Sequence, residues 1–155
     1  MGGGSAPEGH ELVVARTIAA PPALVFDLWS KPEHLAAWWG PEGYSLPTCQ
    51  LDFRVGGAFR FHMVGPSDDE RWIRGVFREI APPARLVFTF AWADAEKVTG
   101  PETIVTVTFE PEGRGTRLTL RHARLTSAAA VNEHRGGWGS TVERLARYAA
   151  RWAPD

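Results

Sequence analysis

Apolar and polar residues alternate with a period of two through the middle of the chain, from about Thr48 to Arg124. This alternation is typical of strands that have one buried face and one solvated face. Short connections rich in glycine, proline and aspartate separate the segments, which favours an antiparallel meander. Six strands are predicted, with inward-facing residues Cys49, Leu51 and Phe53; Phe59, Phe61 and Met63; Ile73 to Ile80; Leu86, Phe88, Phe90 and Trp92; Val105, Val107 and Phe109; and Leu118, Leu120 and His122.

The front of the chain predicts one further strand and two short helices. An apolar, β-branched segment from Leu12 to Ile18 reads as the strand, and the prolines after Ala20 end it and open a helix from about Ala23 to Ser30. Pro32 fits the first turn of a second helix, and Gly40 ends it. The apolar residues of that second helix are Leu35, Trp38 and Trp39.

A long amphipathic helix is predicted from about Ser127 to Trp152. It is the element large enough to cover the apolar face of the sheet, so an α+β fold follows in which about seven antiparallel strands pack against this helix. Its apolar stripe contains Val131, His134, Trp138, Val142, Leu145, Ala149 and Trp152.

Composition narrows the functional classes. The 155 residues carry 17 Lys and Arg against 18 Asp and Glu, so bulk charge recruits neither nucleic acid nor an anionic membrane. The lone Cys49 has no partner for an internal disulfide, and no apolar run is long enough to insert into a bilayer. We expect a cytoplasmic monomer or homodimer with a flexible tail at residues 1–10 and one domain at residues 11–155.

Several motifs, in order and over roughly Leu12 to Trp152, carry a family resemblance. They are Arg16-Thr17-Ile18, Ala20-Pro21, Val25-Phe26-Asp27-Leu28-Trp29, Pro32-Glu33-His34-Leu35, Trp38-Trp39-Gly40-Pro41, Gly56-Gly57-Ala58-Phe59-Arg60-Phe61, Pro82-Pro83-Ala84-Arg85-Leu86-Val87-Phe88 and Gly137-Trp138. Together they resemble the bacterial AHSA1-type branch (activator of Hsp90 ATPase homologue 1-like) of the SRPBCC, or START-like, superfamily. The resemblance implies a helix-grip fold, in which a curved sheet wraps the last helix around an apolar cavity.

Aromatic residues on the covered face are either plain core or the wall of that cavity. Two histidines, His122 and His134, interrupt the apolar stripes. Each is either a core or rim residue whose hydrogen bonds are satisfied within the protein, or a polar contact for a ligand. The candidate ligand-binding residues are Leu35, Trp39, Phe59, Phe61, Met63, Phe88, Phe90, Trp92, His122, His134, Trp138 and Val142.

Gly136 and Gly137 interrupt the last helix, where each glycine costs about 1 kcal/mol relative to alanine. Close packing, a kink or a displaced helix start would explain them. Alternatively, their missing side chains widen the cavity beside Trp138.

Other chemistries have little support in the sequence. The histidines and Cys49 lack metal-ligand spacing, Ser140 lacks a nucleophile-elbow pattern, and Gly56-Gly57 is not a dinucleotide fingerprint. We therefore expect no metal and no cofactor.

The leading hypothesis is non-catalytic binding of a small apolar or aromatic molecule. One alternative is an Hsp90-type, stress-related chaperone interaction module. The others use the same cavity: a cyclase-like or hydratase-like enzyme with His122 or His134 as acid or base, or a protein that sequesters an antibiotic.

Overall fold

The computed structural model describes residues 10–153, in which a strand, two short helices, six strands and a long helix follow one another as predicted. The tail predicted at residues 1–10 lies outside the described residues except for His10, which begins the first strand. The elements are β1 (His10–Ile18), α1 (Pro22–Asp27), α2 (Pro32–Trp38), β2 (Ser45–Leu51), β3 (Ala58–Val64), β4 (Glu70–Ala81), β5 (Arg85–Ala93), β6 (Thr103–Glu112), β7 (Gly115–Leu125) and α3 (Ala128–Ala150).

All seven strands form one antiparallel sheet in the order β1-β7-β6-β5-β4-β3-β2. Strands β2 to β7 are sequential neighbours, as their short connections predict, and β1 pairs with β7. In β6, Val105, Val107 and Phe109 are buried while the residues between them are partly exposed. The period-two pattern therefore builds a sheet with one covered face, and the predicted α+β helix-grip fold is confirmed.

Helix α3 covers that face. Its first turn is capped by Ser127, whose hydroxyl accepts a hydrogen bond of 3.0 Å from the backbone N–H of Ala130. The predicted stripe is buried at five positions, whereas Val131 is only half-buried. Trp152 departs from the prediction, because the helix ends at Ala150 and this indole is 53% exposed. The buried residues of α3 are His134, Trp138, Thr141, Val142, Leu145, Ala146 and Ala149.

The two front helices and the turns that follow them place tryptophans beneath the sheet. Helix α1 ends at Asp27, three residues earlier than predicted, and Leu28 turns the chain toward α2. The indole Nε1 of Trp38 donates a hydrogen bond of 3.0 Å to the carbonyl of Leu28. Trp29 packs at 4.6 Å between ring centroids against Trp38 and at 6.1 Å against Trp39. These indoles occupy space between the sheet and α3 that would otherwise be open.

One part of the interior, which we call the filled half, is closed by side chains. Only about 10 Å³ remains free there, about the least space that one water molecule requires. Phe53 packs against Phe77 of this half, with 5.0 Å between ring centroids, but it does not belong to β2, which runs Ser45–Leu51 rather than from Cys49 to Phe53 as predicted. The tight turn at Gly56 and Gly57 explains the early end, because a Cβ on Gly57 would lie 2.1 Å from the carbonyl oxygen of Asp52. The filled half is bounded by Trp29, Leu35, Trp39, Leu51, Phe59, Phe61, Phe77, Leu86 and Phe88.

Candidate functional site

A cavity of about 400 Å³ opens beside the filled half. Strands β3, β4 and β5 form one wall, the first half of α3 forms the second, and the loop after α2 forms the third. Most of the lining is apolar, with a few polar groups toward the mouth. The lining residues are Trp39, Gly40, Pro41, Tyr44, Met63, Arg71, Ile73, Phe90, Trp92, Glu133, His134, Gly136, Gly137, Trp138 and Thr141.

The predicted ligand-binding residues divide between the two halves of the interior. Those that line the cavity are Trp39, Met63, Phe90, Trp92, His134 and Trp138. Leu35, Phe59, Phe61 and Phe88 instead surround the filled half, while His122 and Val142 are buried elsewhere beneath the sheet and helix. The sequence reasoning missed Tyr44, Arg71, Ile73 and Thr141. For Arg71 a signal was present, because it stands two positions before Ile73 and so shares its face of β4.

Gly136 and Gly137 lie on the cavity side of a continuous helix. A Cβ built on Gly137 would find its nearest neighbour, the Cγ of Pro41, at 3.9 Å, and one on Gly136 would find nothing within 4 Å. No displaced helix start occurs here, and close packing does not explain either residue. Their missing side chains leave open space next to Trp138.

His122 holds a buried hydrogen-bonded chain between α3 and the sheet. The indole N–H of Trp138 donates to Nδ1 of His122 at 3.0 Å, so the ring proton lies on Nε2 and is donated to Oγ1 of Thr103 at 2.7 Å. The Thr103 hydroxyl in turn donates to the carbonyl of Phe90 at 2.7 Å. Burial, with a smaller effect of His134, lowers the pKa of His122 to about 3. His122 is therefore a neutral group whose two nitrogens are both occupied.

His134 has a different environment. It is 8% exposed, lines the cavity, and stacks on the indole of Trp92 with 5.5 Å between ring centroids. Within residues 10–153, neither ring nitrogen has a hydrogen-bond partner. Burial lowers the pKa of His134, and Arg71 lowers it further while Glu133 opposes the shift. The cavity thus contains a neutral imidazole that is free to bond a ligand.

A polar cluster forms the mouth. The hydroxyl of Tyr44 donates to Oδ2 of Asp69, and Nε of Arg71 lies 3.3 Å from the same oxygen. The hydrogen bond to Asp69, assisted by burial, raises the pKa of Tyr44. The Arg71 guanidinium also lies 5.6 Å from the ring centroid of Trp92. The loop after α2 is thereby tied to the start of β4 across the mouth.

Arg144 holds the loop wall from the helix side. Its Nη1 lies within hydrogen-bond distance of the carbonyls of Gly40, Pro41 and Tyr44, at 2.8, 3.0 and 3.1 Å. Gly40 adopts a φ of +96°, a conformation that L side chains rarely accept. Nη2 of Arg144 also lies 3.4 Å from the carbonyl of Ala37, and a lysine side chain is shorter and has one nitrogen in place of the planar pair. Arg144 is therefore a positioning residue for this wall.

Residues 10–153 do not provide a metal site, a reactive thiol or a membrane-spanning helix. No cluster of three or more His, Cys, Asp or Glu side chains there could hold a metal ion. Cys49 is half-buried, and burial raises the pKa of its thiol to about 11. Within the same residues, no helix has the length and apolarity to cross a membrane.

Fold and site together define a class: a helix-grip protein with an aromatic-lined space between its sheet and its last helix. The chain belongs to the family described as Activator of Hsp90 ATPase homolog 1-like protein, whose family model matches residues 19–150. This confirms the family that the sequence motifs indicated. A comparison with curated proteins finds no match.

Solved structures of bacterial proteins share the fold. The AHSA1 protein from Silicibacter pomeroyi is 32% identical, with a TM-score of 0.84 over 92% of this chain and 99% of its own. A protein from Chromobacterium violaceum is 27% identical, with a TM-score of 0.81 over 94% and 98%. One from Nitrosomonas europaea is 28% identical, with a TM-score of 0.78 over 92% and 95%.

Proposed function

We propose that this protein binds a small apolar or aromatic molecule in the cavity between its sheet and α3, and does not change it chemically. The observation that carries the proposal is the cavity itself, about 400 Å³ of space bordered by five aromatic side chains while the filled half retains about 10 Å³. Ligand pockets in proteins commonly measure roughly 300 to 1,000 Å³ and are mostly apolar.

The character of the wall supports this reading. Burying an aromatic ligand against Phe90, Trp92 and Trp138 would contribute the hydrophobic part of the affinity. Met63 adds an unbranched, deformable side chain that adapts to ligand shape. The open positions at Gly136 and Gly137 keep the helix side accessible at a cost in helix propensity, which fits a space maintained for an occupant.

Binding is favoured over catalysis by the state of the interior histidines. Both nitrogens of His122 already bond to protein groups, so its exchange of protons with a ligand would require breaking that chain. His134 does face the cavity, but no second titrating group within residues 10–153 is hydrogen-bonded to it as acid–base catalysis would favour. The geometry fits a polar contact for a bound molecule.

The test is an NMR titration of the ¹⁵N-labelled protein with 2-naphthamide, 2-naphthoate and oleate. Saturable shifts at amides of the cavity residues are expected for at least one aromatic probe. Gly137→Leu should abolish them, because the new side chain enters the cavity, where a Cβ meets no atom closer than 3.9 Å.

Gly139→Leu is the matched control, since Gly139 is on the same helix but does not line the cavity and its Cβ would meet nothing within 4 Å. It should bind as the unmodified protein does. Absence of saturable binding for every probe would refute the proposal. Equal binding by Gly137→Leu would place the ligand elsewhere.

A further inference from the structure

The mouth of the cavity carries a cation whose hydrogen-bonding capacity is only partly used. Arg71 lies on the same face of β4 as Ile73, lines the cavity, and keeps 38% of its side chain exposed. Its Nε faces Asp69 at 3.3 Å. Among residues 10–153, its two Nη nitrogens make no hydrogen bond, which leaves a planar pair of donors.

Three other donors in the lining are already engaged. The Tyr44 hydroxyl donates to Asp69, and the Thr141 hydroxyl lies 2.8 Å from the carbonyl of Gly137. The indole N–H of Trp138 donates to His122. What remains for a ligand is the Arg71 fork together with His134 and the indole N–H groups of Trp39 and Trp92, which make no hydrogen bond within residues 10–153. Most of these free polar groups are donors, which favours an occupant whose polar end accepts hydrogen bonds.

Two carboxylates stand near this fork and affect its choice of partner. Asp69 does not line the cavity, and its Oδ2 accepts from both Tyr44 and Arg71, which orients the guanidinium. Glu133 is at the rim on the exposed side of α3, where solvent and salt screen its charge. Arg71 is therefore the charged group best placed to meet a ligand at the apolar wall.

We propose that the occupant is a planar aromatic molecule that carries a carboxylate. Its rings lie against Trp92, Phe90 and Trp138, and its carboxylate accepts paired hydrogen bonds from the Nη nitrogens of Arg71. Guanidinium and carboxylate match in this side-by-side geometry, and such charge-assisted bonds are stronger than neutral ones. This inference rests on the proposed function and adds the chemical class of the ligand.

A matched pair of probes tests the carboxylate directly. 2-Naphthoate and 2-naphthamide share their rings and differ in charge, and calorimetry or NMR gives the dissociation constant of each. We expect 2-naphthoate to bind about tenfold more tightly. Arg71→Gln should remove that preference and leave 2-naphthamide within about twofold of its original affinity. Arg71→Lys, which keeps the positive charge but lacks the paired N–H donors of the guanidinium, should retain part of the preference for 2-naphthoate.

Arg135→Gln is the control for loss of a positive charge, because Arg135 is exposed on α3 next to His134 but does not line the cavity. It should retain the preference for 2-naphthoate. Equal affinities of the two probes, or a preference that survives Arg71→Gln, would overturn the carboxylate inference while leaving the proposed function intact. If neither naphthalene probe binds but oleate does, the carboxylate inference fails and the proposed function stands, and if none of the three probes binds, both fail.

Discussion

The indole Nε1 of Trp138 lies 3.0 Å from Nδ1 of His122, in a bond between two buried rings that joins α3 to β7. Because Nδ1 must accept this bond, the imidazole is held in one tautomer and remains neutral. The same side chain that forms part of the cavity wall thus anchors the helix to the sheet. Ligand site and fold stability are coupled through this pair.

The first prediction concerns acid sensitivity at His122. An exposed histidine has a pKa of about 6.5, whereas burial lowers that of His122 to about 3. Below pH 6.5 the unfolded chain takes up a proton here that the folded chain refuses until about pH 3. The free energy of unfolding should therefore fall as pH drops through this window, by up to about 1.4 kcal/mol per pH unit from this group.

Urea denaturation of the unmodified protein and His122→Gln, measured between about pH 7 and pH 4.5, isolates this contribution. Glutamine retains hydrogen-bonding atoms but does not titrate, so its pH dependence should be shallower. His134 and the carboxylates remain in both proteins and cancel in the comparison. His122→Asn serves if the glutamine variant does not fold. Parallel pH profiles would show that His122 is not the buried neutral group described above.

Much of this architecture could be predicted from the sequence, because strand alternation and the apolar stripe of α3 report directly on burial. The division of the interior into a filled half and an open cavity could not be predicted from the sequence. Phe88 and Phe90 are two residues apart on the same face of β5, yet Phe88 is in the filled half and Phe90 lines the cavity. The difference depends on Trp29 and Trp39, whose rings approach Phe88 at 6.3 and 6.5 Å, and such long-range packing leaves no local pattern.

The polar cluster at the mouth could not be predicted for a related reason. Arg71 begins the inward-facing run of β4, but a charged residue next to Asp69 and Glu70 resembles a solvated strand end. Only the tertiary structure brings it beside Trp92 and Tyr44. Gly136 and Gly137, in contrast, are conspicuous in the sequence because glycine is unfavourable in helices, and open space beside Trp138 is one of the explanations that this composition suggests.

The second prediction contrasts two glycines. Gly136→Ala should raise the free energy of unfolding by about 1 kcal/mol, because alanine is the better helix former and its Cβ would meet nothing within 4 Å. Gly75→Ala should destabilise the protein severely, since its Cβ would lie 2.0 Å from the carbonyl oxygen of Thr89 and 2.4 Å from the ring of Phe59. Thermal and urea denaturation measure both, and destabilisation by Gly136→Ala would contradict the open space described there.

The third prediction concerns Cys49. Because burial raises the pKa of its thiol to about 11, the reactive thiolate is scarce near neutral pH. Alkylation by iodoacetamide at about pH 7.5 should be roughly a hundredfold slower in the folded protein than in urea. Mass spectrometry follows the reaction, and the urea sample is the internal control for reagent activity. Comparable rates in the two states would mean that the thiol is accessible in the native fold.

The fourth prediction tests Arg144 as the residue that positions the cavity wall. Arg144→Lys keeps the charge, but its shorter side chain should not bring a nitrogen to the position of Nη1 among the carbonyls of Gly40, Pro41 and Tyr44, so the loop should open more often. Hydrogen exchange at the Tyr44 amide, which donates to Pro41 at 3.0 Å, should accelerate by about tenfold if one net hydrogen bond is lost. Arg135→Lys, on the exposed side of α3, should leave that rate unchanged. Because the loop is a wall of the cavity, the same variant should weaken the binding of aromatic probes. Unchanged exchange at Tyr44 would show that other contacts, such as Tyr44 with Asp69 and Glu42 with Ser140, hold the loop without Arg144.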